Sequence, residues 1–270
     1  MANALDNSVE LPPVAMQLSG LSFGYRSSVP VVREVGASLA AGRVTVLVGP
    51  NASGKSTLLR LMLGVISPWE GRVEVGGLPL AKMTPADRAQ WISYVPQRPA
   101  SQFAFTVRQI VAMGRFGQDA IMAGPAIDEV LLQAGLLDLQ HRVFAQLSGG
   151  QQQRVILARA ELQAGRGGRV MLLDEPGSHL DLANAHATMQ RLRQLAAGGL
   201  AVLVVVHDLN LAAAYADDAW LMHEGALLAA GRWDEVLQPQ RLSEVYGVAL
   251  QESHPDGQAR PVFTVPLELQ

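Results

Sequence analysis

"VTVLVGPNASGKST", Val44 to Thr57, decides the fold of this chain. It opens on a short apolar run, the pattern of a strand buried on both faces. Gly49 to Ser56 then match G-x-x-x-x-G-K-[ST], and Ser56 to Val65 read as a helix. Strand, glycine loop and helix in that order are the context in which this pattern cradles phosphate. Gly49 and Gly54, with Pro50, Asn51, Ala52 and Ser53 between them, let backbone N–H groups wrap a β-phosphate. Lys55 can reach β- and γ-phosphates, and the hydroxyl of Ser56, followed by Thr57, can ligate magnesium.

Working outward, "VMLLDE" (Val170–Glu175) and "AVLVVVHD" (Ala201–Asp208) repeat the continuous apolar pattern, with helical patterns over Leu182–Ala196 and Leu209–Ala216. Strand alternating with helix predicts an α/β, doubly wound core with a parallel sheet. A differently patterned, mostly helical stretch from about Phe105 to Leu162 interrupts it, with a break around Gly114–Asp119, and reads as an inserted lobe. After Gln238 the chain reads as a short helix and an extended end.

Composition narrows the function. With 270 residues, 49% of them hydrophobic, the chain can bury a large core. A formal net charge of −3 gives no electrostatic case for binding nucleic acid. The absence of cysteine excludes disulfides, thiolate metal sites and thiol nucleophiles. The stretch "MANALDNSVELPPVAMQ" lacks the basic and apolar segments of a secretory signal. The longest aliphatic runs, such as Leu200–Val206, are too short to cross a bilayer, so any link to a membrane is expected through another chain.

Further motifs carry chemistry. Asp174 and Glu175 end a buried strand, at the edge where open α/β sheets bind ligands. Asp174 suits a magnesium shell, and Glu175 could orient and deprotonate an attacking water. His207 ends another strand at the same edge, where an imidazole could meet a γ-phosphate; by itself such a residue is more often a hydrogen-bonded structural histidine. Gln97 in "YVPQ" reads as a loop amide and Tyr25 in "FGY" as a strand aromatic, although a ring ahead of a phosphate loop could stack on a base. In "LSGGQQQR" (Leu147–Arg154), Ser148 with Gln151 three positions on forms a capping box. Gly149 and Gly150 would leave the backbone N–H groups of that helix start open to an anion, a second phosphate grip.

In this order, Tyr25, "GPNASGKST", "YVPQ", "LSGGQQQR", "LLDEP", "SHLD" (Ser178–Asp181) and His207 resemble the ATP-binding-cassette family of ATPases over roughly residues 15 to 250. The resemblance implies a P-loop NTPase-like core with a mostly parallel sheet, N-terminal antiparallel strands, a helical subdomain inserted at about 98–162, and an extension over 251–270. It implies ATP and magnesium as ligands, Tyr25 as the adenine-stacking ring, Gln97 as a magnesium and lobe-coupling glutamine, Glu175 as catalytic base and His207 as γ-phosphate switch. Two such cassettes close head to tail as a homodimer. Ser148, Gly149, Gly150 and Gln151 would then cover the ATP held by the partner's P-loop, and Asp181 would lie in the loop crossing the interface. Two departures stand out: Gly177 where the family usually has threonine, and Ala52 where glycine is common, at a position the pattern leaves free.

"FTVRQIVAMGR" (Phe105–Arg115), "HDLNLAAAYAD" (His207–Asp217) and "VYGVALQESHPDG" are similar to ATPase subunits of importers for iron–siderophore complexes, haem and cobalamin. Zinc, manganese and other small-solute importers share parts of these strings, and a soluble cassette protein would need arms or a second cassette that this chain lacks. The resemblance therefore implies a peripheral subunit on the cytoplasmic face of the bacterial inner membrane. Its partners would be two permease subunits and, indirectly, a substrate-binding protein. Phe103 and Phe105, in "QRPASQFAF", lie where the two lobes join, and read equally as a surface for an entering permease helix or as ordinary lobe core.

Overall fold

Successive side chains of one strand enter two different cores. In β3 (Val44–Val48), Val44, Val46 and Val48 join one buried cluster, and Leu47 joins the other. The same alternation holds downstream: Met171 and Leu173 against Val170 and Leu172, Val202 and Val204 against Leu203 and Val205. A strand covered on both faces draws apolar residues to nearly every position, which is why these runs, Thr45 aside, do not alternate with polar ones.

The computed structural model describes residues 13–27, 29–97, 104–115, 120–165, 169–177, 181–255 and 259–266. The strands β1 (Val14–Phe23) and β2 (Val32–Ala40) precede β3, which passes through the glycine loop into α1 (Lys55–Met62). Next come β4 (Glu70–Val75), β5 (Leu78–Pro79), α2 (Pro85–Trp91) and β6 (Ile92–Val95). The helices α3 (Val107–Ala112), α4 (Ala120–Gln133) and α5 (Gly149–Ala164) follow. The chain returns through β7 (Val170–Leu173), α6 (Leu182–Ala197), β8 (Ala201–Val205), α7 (Leu209–Tyr215), β9 (Asp218–His223) and β10 (Ala226–Arg232). It closes with α8 (Trp233–Val236), α9 (Pro239–Tyr246) and a hairpin of β11 (Gln251–Ser253) and β12 (Val262–Thr264).

Two larger sheets result. A six-stranded sheet runs β10-β9-β3-β8-β7-β6, parallel from β9 to β6, with β10 antiparallel at one edge. An antiparallel sheet runs β2-β1-β4-β5. Between these sheets α1 buries Leu58, Leu59, Leu61 and Met62 against Met16, Leu18 and Leu39 on one side and Leu47 and Leu203 on the other. On the opposite face of the six-stranded sheet, α3, α5, α6 and α7 pack residues such as Val107, Ile156, Met189 and Ala212. Each fully buried Val, Leu, Ile or Met contributes about 1.5–3 kcal/mol by leaving water.

The parallel register assembles the site. Val95 pairs with Leu173, Leu173 with Val204, and Leu47 with Val205, so these strands run out along one edge. The residues just beyond that edge are Gln97, Asp174 with Glu175, His207 and Gly49.

Candidate active site

The glycine loop is shaped by close approach. Gly49 has φ 150° and Gly54 φ 104°. A Cβ on Gly49 would lie 2.0 Å from the Met222 carbonyl oxygen, and one on Gly54 would lie 2.7 Å from that of Val31. Only glycine fits at both points. Ala52 also stands in the left-handed region, at φ 62°. The position that the motif leaves free in composition is therefore constrained in conformation, at a cost of about 1–2 kcal/mol for a residue with a side chain.

Lys55 is buried at the start of α1, and its Nζ donates to the carbonyls of Gly49 and Pro50, both at 2.8 Å. Burial pushes its pKa down, opposed by the negative charges of Glu175 and Asp174. The loop is thus folded around its own ammonium group, which shares its charge with two neutral carbonyls that a phosphate would outbid.

Tyr25 is 57% exposed, and its hydroxyl lies 3.4 Å from Thr57 Oγ1 and accepts from Arg60 Nη1 at 2.9 Å. The hydrogen bond with Thr57 leads in drawing the phenol pKa down. Behind the ring, Phe23 meets it edge-on at 5.2 Å and Trp69 lies 5.9 Å from Phe23. The phenol is anchored to the phosphate-loop helix, and the ring stands ready to stack on a planar base.

Among the buried side-chain oxygens of the described residues, Ser53 Oγ and Asp174 Oδ1 at this edge have no hydrogen-bond partner. Buried orphans of this kind call for a ligand or a cost. Burial leads in raising the Asp174 pKa, with Glu175 adding to it, while the Ser56 hydroxyl and Lys55 pull the other way. A half-buried carboxylate whose buried Oδ1 has no partner, beside a serine hydroxyl, suits a hard divalent cation such as magnesium, which takes few protein ligands and completes its shell with phosphate and water. Among the described residues no group of three or more His, Cys, Asp or Glu is placed to hold a metal by itself, so such an ion would come with its nucleotide.

The folded chain therefore holds the Asp174 proton more tightly than the unfolded chain does. This carboxyl destabilises the fold as pH rises through its raised pKa, and the penalty is absent below the ordinary carboxylate range near pH 4. Asp174→Asn is expected to raise the Tm of the nucleotide-free chain at pH 7 by about 2–4 °C, to lose that advantage near pH 3.5, and to abolish ATP hydrolysis. A lowered Tm at pH 7 would show that Asp174 is structural rather than poised for a ligand.

Glu175 is held on both sides. Gln97 Nε2 donates to its Oε2 at 2.5 Å, and His207 Nε2 lies 2.5 Å from its Oε1. To bond a carboxylate there, Nε2 must carry the proton. Glu175 also takes φ 46°, a strained conformation for a residue with a side chain and one that clusters at functional sites. The structure thus brings together Gln97, Glu175 and His207, each from a different strand end.

Ser148–Gln151 stand apart from this group. Ser148 caps α5 in a two-way box: Gln151 N donates to Ser148 Oγ at 3.4 Å, and Ser148 N donates to Gln151 Oε1 at 3.0 Å. Gly149 is exposed, and a Cβ added there would meet only open space. Asp181 is the N-cap of α6, accepting from Asn184 N at 2.8 Å and Asn184 Nδ2 at 2.9 Å. A Cβ on Gly177 would make only an ordinary contact, 3.8 Å from Ala185 Cβ, so its departure from threonine leaves no strain. Phe103 and Ser178 lie outside the described residues.

Sequence reasoning missed Arg60, which holds the Tyr25 hydroxyl, and Tyr246, whose buried hydroxyl lies beside the Gly49 backbone and whose pKa burial pushes up. Neither leaves a local signal, because each contact joins distant segments.

Comparison with known proteins gives the chain a family. The sequence matches the family described as ABC transporter over residues 32–178. A hemin import ATP-binding protein, HmuV, of Pseudomonas putida is 38% identical over 246 residues, 89% of this chain and 96% of that protein. Its counterpart from Pseudomonas fluorescens is 40% identical over 234 residues, 84% of this chain and 91% of that one. An ABC transporter described as metal-chelate type, solved in an inward-facing conformation, superposes with a TM-score of 0.81 at 28% identity, over 95% of this chain and 99% of that one. A bacterial ABC exporter with ATP bound superposes at 0.73 and 25% identity, over 88% of this chain and 43% of that one, so the fold is common to both directions of transport. The chain belongs to the ABC transporter family and is an ATP hydrolase coupled to transport.

Proposed function

We propose that this chain powers the uptake of haem or a chemically related iron chelate. It would act as a homodimer on the cytoplasmic face of the inner membrane, docked on two permease subunits that receive cargo from a binding protein. One observation carries the reading: Glu175 is held between Gln97 and His207, beside Lys55 and Asp174, in a chain similar over most of its length to hemin import ATP-binding proteins. Among the described residues no helix is long and apolar enough to cross a membrane, and in this proposal the permease supplies the crossing. Residues 15–250 form the ATPase domain, with a helical lobe at about 98–162, and 251–270 form the extension.

The proposed mechanism follows from the side chains. The Gly49–Thr57 loop and Lys55 bind the phosphates, and Tyr25 stacks on adenine. Ser56, Asp174 and Gln97 would hold magnesium, which supplies charge neutralisation at the β- and γ-phosphates. Glu175 takes the proton of the attacking water. The Nε2–H of His207, given to Glu175 here, is the donor a γ-phosphate would receive. Ser148, Gly149, Gly150 and Gln151 of a second copy close over the same nucleotide, with the Asp181 segment at the interface.

The cargo is tested by purifying the tagged chain with the permease that accompanies it and adding candidate binding proteins. Haem-loaded binding protein is expected to raise ATP hydrolysis several-fold, and zinc- or manganese-loaded protein to leave it at the basal rate. Stimulation by the metal ions and not by haem overturns the cargo class.

A further inference from the structure

The helix that follows His207 is held in place by the far end of the chain. At seven residues, α7 is far below the length at which an isolated helix is stable. Its start is capped locally: Asp208 Oδ1 accepts from Asn210 N at 2.8 Å and from Leu211 N at 3.1 Å. Three other ties come from elsewhere. The Asn210 side chain pairs with the backbone of Phe263 in β12, its Oδ1 accepting from Phe263 N at 2.6 Å and its Nδ2 donating to Phe263 O at 3.2 Å. Arg260 Nη1 donates to the carbonyls of Ala213 and Ala216, both at 3.0 Å, where the end of a helix leaves acceptors without partners. The Tyr215 hydroxyl lies 2.9 Å from His186 Nδ1 on α6.

The tail itself is anchored. Phe263 is 6% exposed in the main core, and the Arg260 guanidinium lies 4.3 Å over the Trp233 ring of α8. These residues lie beyond the stretch that matches the family, residues 32–178. A segment contributing one buried ring and a stacked guanidinium, and bonding both the first turn and the last carbonyls of α7, fixes that helix as a clamp does.

We infer that Asn210 and Arg260 are positioning residues for ATP hydrolysis: by clamping α7 from the C-terminal hairpin they hold His207 against Glu175. His207 lies between Val206, whose N–H donates to the Leu47 carbonyl at 3.3 Å, and the Asp208 cap, so α7 sets one of the two ends that position it. Nε2 sits 2.5 Å from Glu175 Oε1, a contact that a displacement of about 1 Å would break, and misplacements of that size cost up to about a hundredfold in rate. Among the described residues no hydrogen bond joins α7 to Tyr25 or to the glycine loop, although α7 packs against β3, so nucleotide affinity is expected to respond less to the clamp than hydrolysis does. The inference rests on Glu175 and His207 serving hydrolysis. If Glu175→Gln hydrolyses ATP like the parent, that reading fails, whereas the results below test the clamp with Glu175 intact.

The test uses the full-length chain and its basal ATP hydrolysis, with hydrogen exchange followed in peptides covering α7 and β3. Asn210→Ala is expected to speed exchange in α7 and not in β3, and to lower kcat about tenfold with KM for ATP changed less than about twofold. Arg260→Ala is expected to do the same. Arg260→Lys, which keeps a donor for the two carbonyls, is expected to restore most of kcat. If Asn210→Ala does not fold, the two Arg260 variants decide. Faster exchange in α7 with unchanged kcat overturns the inference, as does a fall in kcat without that faster exchange. A joint loss of kcat, KM and β3 protection would reduce the clamp to a purely structural part and also overturn it.

Discussion

Glu175→Gln is expected to bind ATP as the parent chain does, to turn it over at least about a hundredfold more slowly, and to accumulate as an ATP-bound dimer. A positioned general base contributes about 10²–10⁴ in rate, and an amide of nearly the same shape cannot take the proton. The local structure supports the substitution as a clean one. Glu175 already stands at φ 46°, and glutamine meets the same backbone penalty, so the fold gains no new strain. Gln97 and His207 both donate to the carboxylate, while an amide presents one oxygen and one NH2. At most one of the two bonds is lost, since His207 can accept from the amide NH2 once its proton moves to Nδ1, and a change of about 1 kcal/mol or less leaves the chain folded. Lys55, Ser56 and the loop glycines are untouched, so binding persists while hydrolysis stops. Light scattering with and without ATP reads the dimer, and phosphate release reads the turnover. Parent-like turnover, or a monomer that persists in saturating ATP, would remove Glu175 from the role of base.

The parts of this site that could be read from the sequence are those whose chemistry sits at the ends of buried strands. A strand covered on both faces is mostly apolar and carries no charge, so the first charged residue or histidine after it is conspicuous: Asp174 after Leu173, His207 after Val206. The box of Ser148 and Gln151 was equally legible, because a helix cap is a local bargain between residues three apart. Legibility ends where contacts are long-range or conformations carry no composition. The antiparallel sheet was expected only from the family resemblance; β1 carries repeated register irregularities against β2, which break the period-2 pattern. The φ of Ala52 leaves no trace in the residue type. Asp181, assigned to an interface by resemblance, is already engaged as the cap of α6, and that engagement places the carboxylate at a fixed point of the segment. The ties of Asn210 to Phe263 and of Arg260 to α7 join residues more than forty positions apart, which no window along the chain can see.

The same geometry predicts that Lys55→Ala and Ser148→Arg rescue one another when mixed. Within one chain, Lys55 is bonded to its own loop, and Ser148 is bonded to Gln151 on a helix start whose Gly149 is exposed. If a complete site takes Lys55 from one copy and Ser148 from another, then in a mixed dimer both lesions fall in the same site. The other site pairs the intact Lys55 of the Ser148→Arg chain with the intact Ser148 of the Lys55→Ala chain. If each site were built within one chain, both would be broken. Each variant alone is therefore expected to occlude no ATP, and differently tagged chains purified as heterodimers to trap close to one nucleotide per dimer. Occlusion is the proper readout, because turnover can require both sites at once. Glu175→Gln in both chains prolongs the trapped state so that it can be counted. The loss of the Ser148 cap costs about 1 kcal/mol, so thermal melting of the Ser148→Arg chain separates a blocked helix start from an unfolded one. Verified heterodimers of folded chains that trap no nucleotide would return "LSGGQ" to the role of a well-capped helix. Trapping near one per dimer would make the two phosphate grips of this chain halves of a site that a single copy does not contain.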